Sequence, residues 1–389
     1  MLQLLEGIFN GISIGSVLLI AALGLAVVFG LMGVINLAHG ELMMLGAYTT
    51  FVVQNTFKAF FGDSLFNYYI FFALPLAFLV AALVGLALER GVIRYLYGRP
   101  LETLLATWGV SLILRQFVRS VNWVLAIAIV VFCLLFFGGM AFLRRRLDWQ
   151  RIQGWATSVM LFLSGAITLV LGILLGNSGQ QAITRPWFSA RNVDVTAPKW
   201  LQGGFPVGNS QLSYGRIFII ILTILCLLGT YWFLNRSSWG LRIRAVTQNR
   251  EMSACLGIPT DKVDALTFAL GSGLAGVAGC AITLLGSVGP NTGQNYIVDT
   301  FMVVVVGGVG NLFGSVIAAL AIGTVVYLIG SGTIFFMLSP IEFLQPIASF
   351  FEFFATTSMS KVMVFALIIA FLQFKPAGIF APKGRTAEL

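Results

Sequence analysis

The sequence is poor in the residues that carry out chemistry. Its single histidine, His39, has no candidate co-ligands at useful spacing, and Cys133, Cys226, Cys255 and Cys280 lie far apart with no C-x-x-C pair. A metal centre or a disulfide framework is therefore not expected, and the cysteines read as packing residues. There is no G-x-x-x-x-G-K-[ST] phosphate cradle, so this chain is not expected to hydrolyse ATP. Charge is scarce as well, at 10% of residues against roughly 25% in soluble domains. A net charge of +9 would suggest nucleic acid in a soluble chain. Here the Lys and Arg residues sit between apolar runs, where they act as topology signals.

What is abundant is apolar. Hydrophobic residues make up 58% of the chain and the mean hydropathy is +0.95, which marks a polytopic integral membrane protein of the all-α class. Glycine, at 43 of 389, exceeds the usual share of roughly 7%, as expected where membrane helices approach through small residues. The first fifteen residues carry Glu6 but no Lys or Arg, so no positively charged signal-peptide region stands ahead of the first span.

Apolar spans are expected at 8–35, 38–57, 66–88, 101–118, 122–142, 156–176, 215–234, 264–288, 296–309, 312–330 and 359–373. The basic clusters Arg90, Arg94, Arg99; Arg144, Arg145, Arg146, Arg151; and Arg236, Arg242, Arg244, Arg250 fall on one side if the short segment 101–118 crosses. The positive-inside rule places that side in the cytoplasm. The expectation is about eleven crossings (9 to 11), with the N-terminus outside and the C-terminus inside, next to Lys375, Lys383 and Arg385. The polar connection from Asn177 to Tyr214 is then external. The Phe-rich stretch from Thr333 to Phe354, broken by Pro340, Glu342, Pro346 and Glu352, reads as an external interfacial segment.

One stretch, Gly240 to Thr267, is neither membrane-apolar nor an ordinary loop. Asn249 suits an N-cap, Glu251 lies in the first turn where the helix dipole favours an anion, Gly257 can take a left-handed C′ position, and Pro259 prevents continuation. One short helix, about Arg250 to Leu256, is predicted. A helix of two turns needs a surface to dock on, and Met252, Cys255 and Leu256 must face it.

The run RAVTQNREMSACLGI resembles the cytoplasmic coupling helix of permease subunits in bacterial ABC importers of the branched-chain amino acid (LivH-like) type, and it most resembles the urea permease (UrtB) branch. GLAVVFGLMGVINLAHGELMMLGAY and NYIVDTFMVVVVGGVGNLFGSVIAALAIG are similar to that family's N-terminal and C-terminal signatures, in the family's order. The resemblance covers about 1–120 and 190–385. It implies a single permease domain over 1–389, a coupling loop at 240–262, and an insertion at 121–190 that adds two spans. An even number of added crossings leaves every later segment on its original side.

The same resemblance implies a homologous second permease, two ATPase subunits that bind ATP and Mg, an external solute-binding protein, and residence in the bacterial inner membrane. This chain itself is expected to bind no cofactor. Asn249, Arg250, Glu251, Met252, Cys255, Leu256 and Gly257 would couple to an ATPase, with Leu256 as the buried contact and Arg250 and Glu251 as its polar rim. The expected substrate is urea, with branched-chain or neutral amino acids as the alternative; a stand-alone channel for a small neutral solute is the alternative of another class.

Candidate pathway residues follow from polarity and depth. Asn36, His39 and Glu41 read first as a break between two helices whose polar groups satisfy freed backbone amides, and second as direct substrate contacts. Thr107, Ser111, Thr267, Ser272 and Thr283 are neutral side chains within spans, and Gly307, Gly308 and Gly310 interrupt an apolar run. Glu41, Glu89, Arg216, Asp264, Asp299 and Lys361 are all expected toward span ends, which argues against proton- or ion-coupled transport.

Overall fold

The computed structural model describes residues 2–60, 62–146, 149–177, 184–188, 191–207, 210–339 and 345–380. The expectations for Pro340, Glu342, Lys383 and Arg385 fall outside these, as do the side chains of Arg144, Arg145, Arg146 and Arg151. The chain divides into two compact units, one of Met1–Ser111 with Asn192–Leu389 and one of Leu112–Arg191.

The larger unit is organised around α1 (Leu2–Met32), which is apolar along its length and buried through most of it. A helix hydrophobic on all sides belongs in a core, and α1 takes that place. Around it pack α11 (Thr260–Ile282), α12 (Thr292–Gly307), α13 (Leu312–Gly330) and α8 (Tyr214–Arg236). α11 is the second buried helix, and it is flanked by α2 (His39–Phe60) and, after the short α3 (Gly62–Phe66), by α4 (Tyr69–Gly91). In lipid no hydrophobic force drives helices together, so close backbone approach must supply the packing. The α1–α11 crossing shows this: a Cβ on Gly24 would strike the Gly271 carbonyl, and one on Gly271 would strike the Gly24 carbonyl.

The two ends of the unit differ chemically. At one end the C-terminal ends of α1, α4 and α8 meet the start of α11 and bury Val27, Leu234, Val263 and Phe268; the exposed ion pair of Arg94 with Asp261 lies there too. At the other end the connection 192–213 lies over α2 and α4. Gln54 accepts from the Thr196 amide at 3.2 Å, the Tyr69 hydroxyl donates to the Thr196 carbonyl at 2.9 Å, and Trp200 stacks on Phe71 at 5.7 Å. This connection also forms a hairpin of β1 (Gly204–Val207) with β2 (Ser210–Ser213) and an antiparallel bridge from Val193 to Val288. α4 and α11 therefore run in opposite senses between a basic end and a polar end.

All eleven expected spans correspond to helices. Among the described residues, eight are long and apolar enough to cross a membrane by length and composition. The other three are α2, α5 (Pro100–Ser120) and α12, and α12, at 16 residues, reaches only about 24 Å. The Phe-rich stretch contains two short helices, α14 (Thr333–Leu338) and α15 (Gln345–Phe353). The last span is α16 (Thr357–Phe374).

Two expectations change. Asp299, expected toward a span end, is the eighth residue of α12, because that helix starts at Thr292 rather than 296. It is largely buried and its carboxylate lies 2.5 Å from the Lys361 ammonium of α16, so the charge is paired across two helices. The stretch after α8 holds two short helices where one was predicted: α9 (Ser238–Gln248) precedes α10 (Arg250–Cys255). Ser237 caps α9 by accepting the Gly240 amide at 2.9 Å.

The smaller unit contains the helix pair α6 (Trp123–Arg146) and α7 (Trp149–Gly176), joined where Gly139 faces Met160 and closed at one end by Trp123 against Trp187 at 4.9 Å. None of α6's apolar stretch and only 6% of α7's is buried, so both present apolar side chains that require lipid around them.

The orientation has a direct check. In a background without the four native cysteines, Gln211→Cys at the polar end should react with an impermeant thiol reagent in intact cells, and Arg242→Cys at the basic end should not. Labelling of position 242 from outside would reverse the topology.

Candidate functional site

The first cluster grows from the break after α1. Gly33 turns the chain with φ +67° and donates back to the Phe29 carbonyl at 3.0 Å. Residues 33–38 then run without regular helix, and their amides need partners because no water reaches bilayer depth. The Asn36 side-chain oxygen accepts the Ala38 amide at 3.0 Å, and Thr107 of α5 accepts the Leu37 amide at 3.2 Å. His39 Nε2 lies 3.1 Å from the Ala21 carbonyl, so its donor tautomer carries the proton on Nε2. Ala21 stands eleven residues before the end of α1, about 16 Å along a helix. Counted from the end of α1, α2 therefore begins part-way into the ~30 Å of a hydrocarbon core.

A second helix starts at the same level. Gly40 in the first turn of α2 meets Gly293 in the first turn of α12 so closely that a Cβ on either would strike the other's carbonyl. Glu41 is 1% exposed, and its Oε1 accepts from Ser111 Oγ of α5 at 3.0 Å. Its other oxygen lies 2.8 Å from where a Cβ on Gly293 would stand. The carboxylate thus sits between two helix N-termini. Each end is worth up to about 2 kcal/mol in a partly buried setting, and the hydroxyl bond adds about 1.5–3 kcal/mol if Glu41 is charged. Together these offset much of the several kcal/mol that burying one ion costs.

Toward the polar end, the first turn of α12 borders a cavity of about 220 Å³. Asn192, Ser287, Asn291, Thr292, Asn295 and Tyr296 line it together with apolar residues and backbone, and none of its lining residues is charged. The space equals several waters at ~30 Å³ each, enough for a small polar solute.

The structure thus brings together Asn36, His39, Glu41, Thr107 and Ser111. The other pathway candidates are placed elsewhere. Thr267 donates to the Val263 carbonyl and Thr283 to the Cys280 carbonyl, each at 2.7 Å within its own helix. Ser272 is fully buried against Gly85, with no hydrogen-bond partner among the described residues. Gly307, Gly308 and Gly310 do not line an opening: they form the turn from α12 to α13 at the basic end, with φ +100° at Gly308 and +82° at Gly310. Gly30 packs on Gly310, and Phe380 packs on Gly308. Gly293, Asn291 and Asn295 were missed. The signal was the run Asn291, Thr292 and Gly293 just ahead of the expected span.

The second cluster is α10 on the basic end. Asn249 caps it by accepting the Met252 amide at 2.9 Å, as predicted. At its far end the Gly257 amide donates to Ala254 and the Ile258 amide to Ser253, both at 3.0 Å, with Gly257 at φ +80°; this is the paired closure that a left-handed C′ glycine permits. Of this helix only Ser253 is buried. Met252 and Leu256 are 58% and 75% exposed, and Glu251 and Cys255 are exposed too. Arg250 is not a free rim residue: its guanidinium lies 2.6 Å from the buried Asp264 carboxylate and 4.7 Å from the Tyr97 ring centre. Burial holds the Tyr97 phenol above its usual pKa and so keeps it protonated.

Residues 7–372 match the family model described as branched-chain amino acid transport system / permease component. The chain belongs to this family. The permease is 24% identical to the high-affinity branched-chain amino acid transport system permease protein LivH of Escherichia coli K12, over 97% of this chain and 96% of that one. It is 26% identical to BraD, the corresponding protein of Pseudomonas aeruginosa, over 82% and 84% of the two chains. A fructose import permease protein of Rhizobium meliloti, FrcC, matches at 30% identity over only 31% of this permease. No solved structure matches. The permease is a multi-pass protein of the inner membrane and a transport subunit of an ABC importer.

The Gly40–Gly293 contact yields a test. Gly293→Ala forces a Cβ into backbone and should cost about 1–3 kcal/mol in packing, lowering solute uptake per permease molecule by about tenfold. Thr283→Val removes only a bond within one helix, worth about 1 kcal/mol, and should leave uptake near wild type. Uptake normalised to membrane abundance checks both.

Proposed function

We propose that this permease is one of two non-identical pathway subunits of an importer for branched-chain or related neutral amino acids. ATPase subunits would dock on α10, and an external solute-binding protein would deliver solute to the polar end. The observation that carries the coupling half is the exposure of Met252 and Leu256 on a helix fixed by caps at both ends. Apolar side chains on a rigid, short helix at the basic end call for a partner surface. The substrate half rests on relatives named for branched-chain amino acid transport over nearly the whole chain.

The junction of the two helix starts suits this substrate class. A zwitterion presents a carboxylate that helix N-termini favour and an ammonium that Glu41 would favour, so the pair of N-termini beside one acid complements both ends. Urea, expected from sequence, has neither charge. It remains a second reading resting on the sequence of the α10 region. A stand-alone channel would have no use for α10.

Two experiments separate these readings. In a strain lacking this chain, uptake of labelled leucine should fall while urea uptake persists; loss of urea uptake alone would restore the sequence-based expectation. Leu256→Asp buries an unpaired carboxylate in the proposed contact, at a cost of several kcal/mol. It should abolish co-purification of the ATPase with the permease still at normal abundance. Gly257→Val places a β-branched residue at positive φ and should be comparably severe for transport. Normal transport by Leu256→Asp would leave α10 an interfacial helix lying on lipid.

A further inference from the structure

A lever must be fixed at both ends to transmit a displacement. α10 is six residues long and buries only Ser253, so its own packing cannot hold it rigidly against the spans. Its C-terminal end is anchored, because Ile258 packs into the cluster of Val27, Leu234, Ile243, Val246 and Val263. The turn between α10 and that anchor is open: Gly257 has no atom within 4 Å of where its Cβ would stand. With one anchor alone, α10 would pivot on this turn.

The other anchor is Arg250. Its side chain leaves the first residue of α10 and reaches Asp264 in the second turn of α11, 2.6 Å away, while its flat guanidinium covers Tyr97, which follows α4. Asp264 is 5% exposed and Arg250 is 44% exposed, so the acid is committed to the interior and the base bridges outward to it. The other charged groups that act on Asp264 are the acids Asp261 and Glu89, so Arg250 is the base that offsets its charge. The parallel pair of Arg94 with Asp261 is half exposed on both sides and is correspondingly weak.

We propose that Arg250 and Asp264 form a latch that transmits movement of the docking helix α10 to the buried span α11, with Tyr97 holding the guanidinium flat. This rests on the coupling role given to α10 above. Arg250 is a positioning residue here: it acts through Asp264 on α11, and α11 contacts both α2 and α1. A push on α10 arrives at the Gly24–Gly271 crossing only if this pair holds.

The test uses the whole importer, with both permeases, the ATPase subunits and the binding protein, in proteoliposomes. It reads basal ATP hydrolysis, hydrolysis with leucine-loaded binding protein, and leucine carried per ATP. Asp264→Asn and Arg250→Gln should assemble in normal amounts, Asp264→Asn with unchanged basal hydrolysis, and leucine per ATP should fall by about tenfold in both, within the span of ordinary couplings between sites. Exchange of the charges, Arg250→Asp with Asp264→Arg, should recover part of that loss, and Arg250→Lys should fall between. Wild-type leucine per ATP in Asp264→Asn or Arg250→Gln overturns the latch. Failure of the half-exposed Arg250→Gln variant to assemble also overturns it, since the pair would then serve the fold and not the transmission. The underlying reading fails separately: if Leu256→Asp keeps its ATPase and transports, α10 is not the docking helix, whatever the latch variants do.

Discussion

Backbone that is not helical has no water to bond to at bilayer depth, and this constraint arranges the centre of the permease. Each unsatisfied amide or carbonyl there would cost several kcal/mol. The chain between α1 and α2 runs without helix from the basic end of α1 back to the level of Ala21, so it can exist only inside protein. α1 and α11 approach through Gly24 and Gly271, α5 supplies Thr107 to the Leu37 amide, and Asn36 bonds its own neighbour. The polar residues of the break are there first to satisfy backbone. A pathway beside them gains a ready-made polar lining, and Gly40 against Gly293 then sets how far two helix starts can approach.

What could be read from sequence follows the range of the physics involved. The ends of α10 were legible because caps are local: Asn249 and Gly257 act within a few residues of where they stand. α9 was not, since its apolar positions Ile243 and Val246 are few and its Arg242 and Arg244 look like loop charges until the spans they pack against are known. The Gly40–Gly293 contact joins residues far apart in the chain, and neither glycine carries a side chain to announce it. Asp299 was misplaced because its span was expected to start at 296, whereas α12 starts at Thr292 with polar residues facing a polar cavity. The glycines after Val306 read as a break within a span, whereas positive φ at Gly308 and Gly310 belongs to a turn. Substrate was the least legible property, because neutral hydroxyls and amides do not encode a single solute.

The turn from α12 to α13 shows how the basic end is built. Asn311 caps α13 by accepting from Phe313 and Gly314, and the Ile379 amide donates to the Val306 carbonyl at 2.8 Å. The segment after α16 therefore returns to close the end of α12, with Phe380 against Phe313 at 5.9 Å. Gly30 of α1 touches the same turn at Gly310. The basic ends of α1, α12 and α13 are thus tied by backbone contacts, while at the same end Arg94 and Arg250 pair with Asp261 and Asp264 of α11. Backbone contacts of that closeness are rigid. Side-chain pairs can follow a shift that closely packed backbone cannot, so a movement imposed from the basic end has a softer route through α11, by way of Arg250 and the buried Asp264, than through α1.

The same difference bears on where energy enters. Three buried carboxylates have fixed partners: Glu41 has Ser111 and two helix starts, Asp264 has Arg250, and Asp299 has Lys361. A proton carrier needs an acid whose charge changes during the cycle, and protonating Asp299 or Asp264 would leave the charge of Lys361 or Arg250 unpaired. Glu89 lies at the basic end of α4, beside Arg90 and Arg94, away from the junction of α2 and α12. On the coupling role proposed for α10, the work enters as displacement at the basic end instead, through a helix that is capped at both ends and exposes Met252 and Leu256.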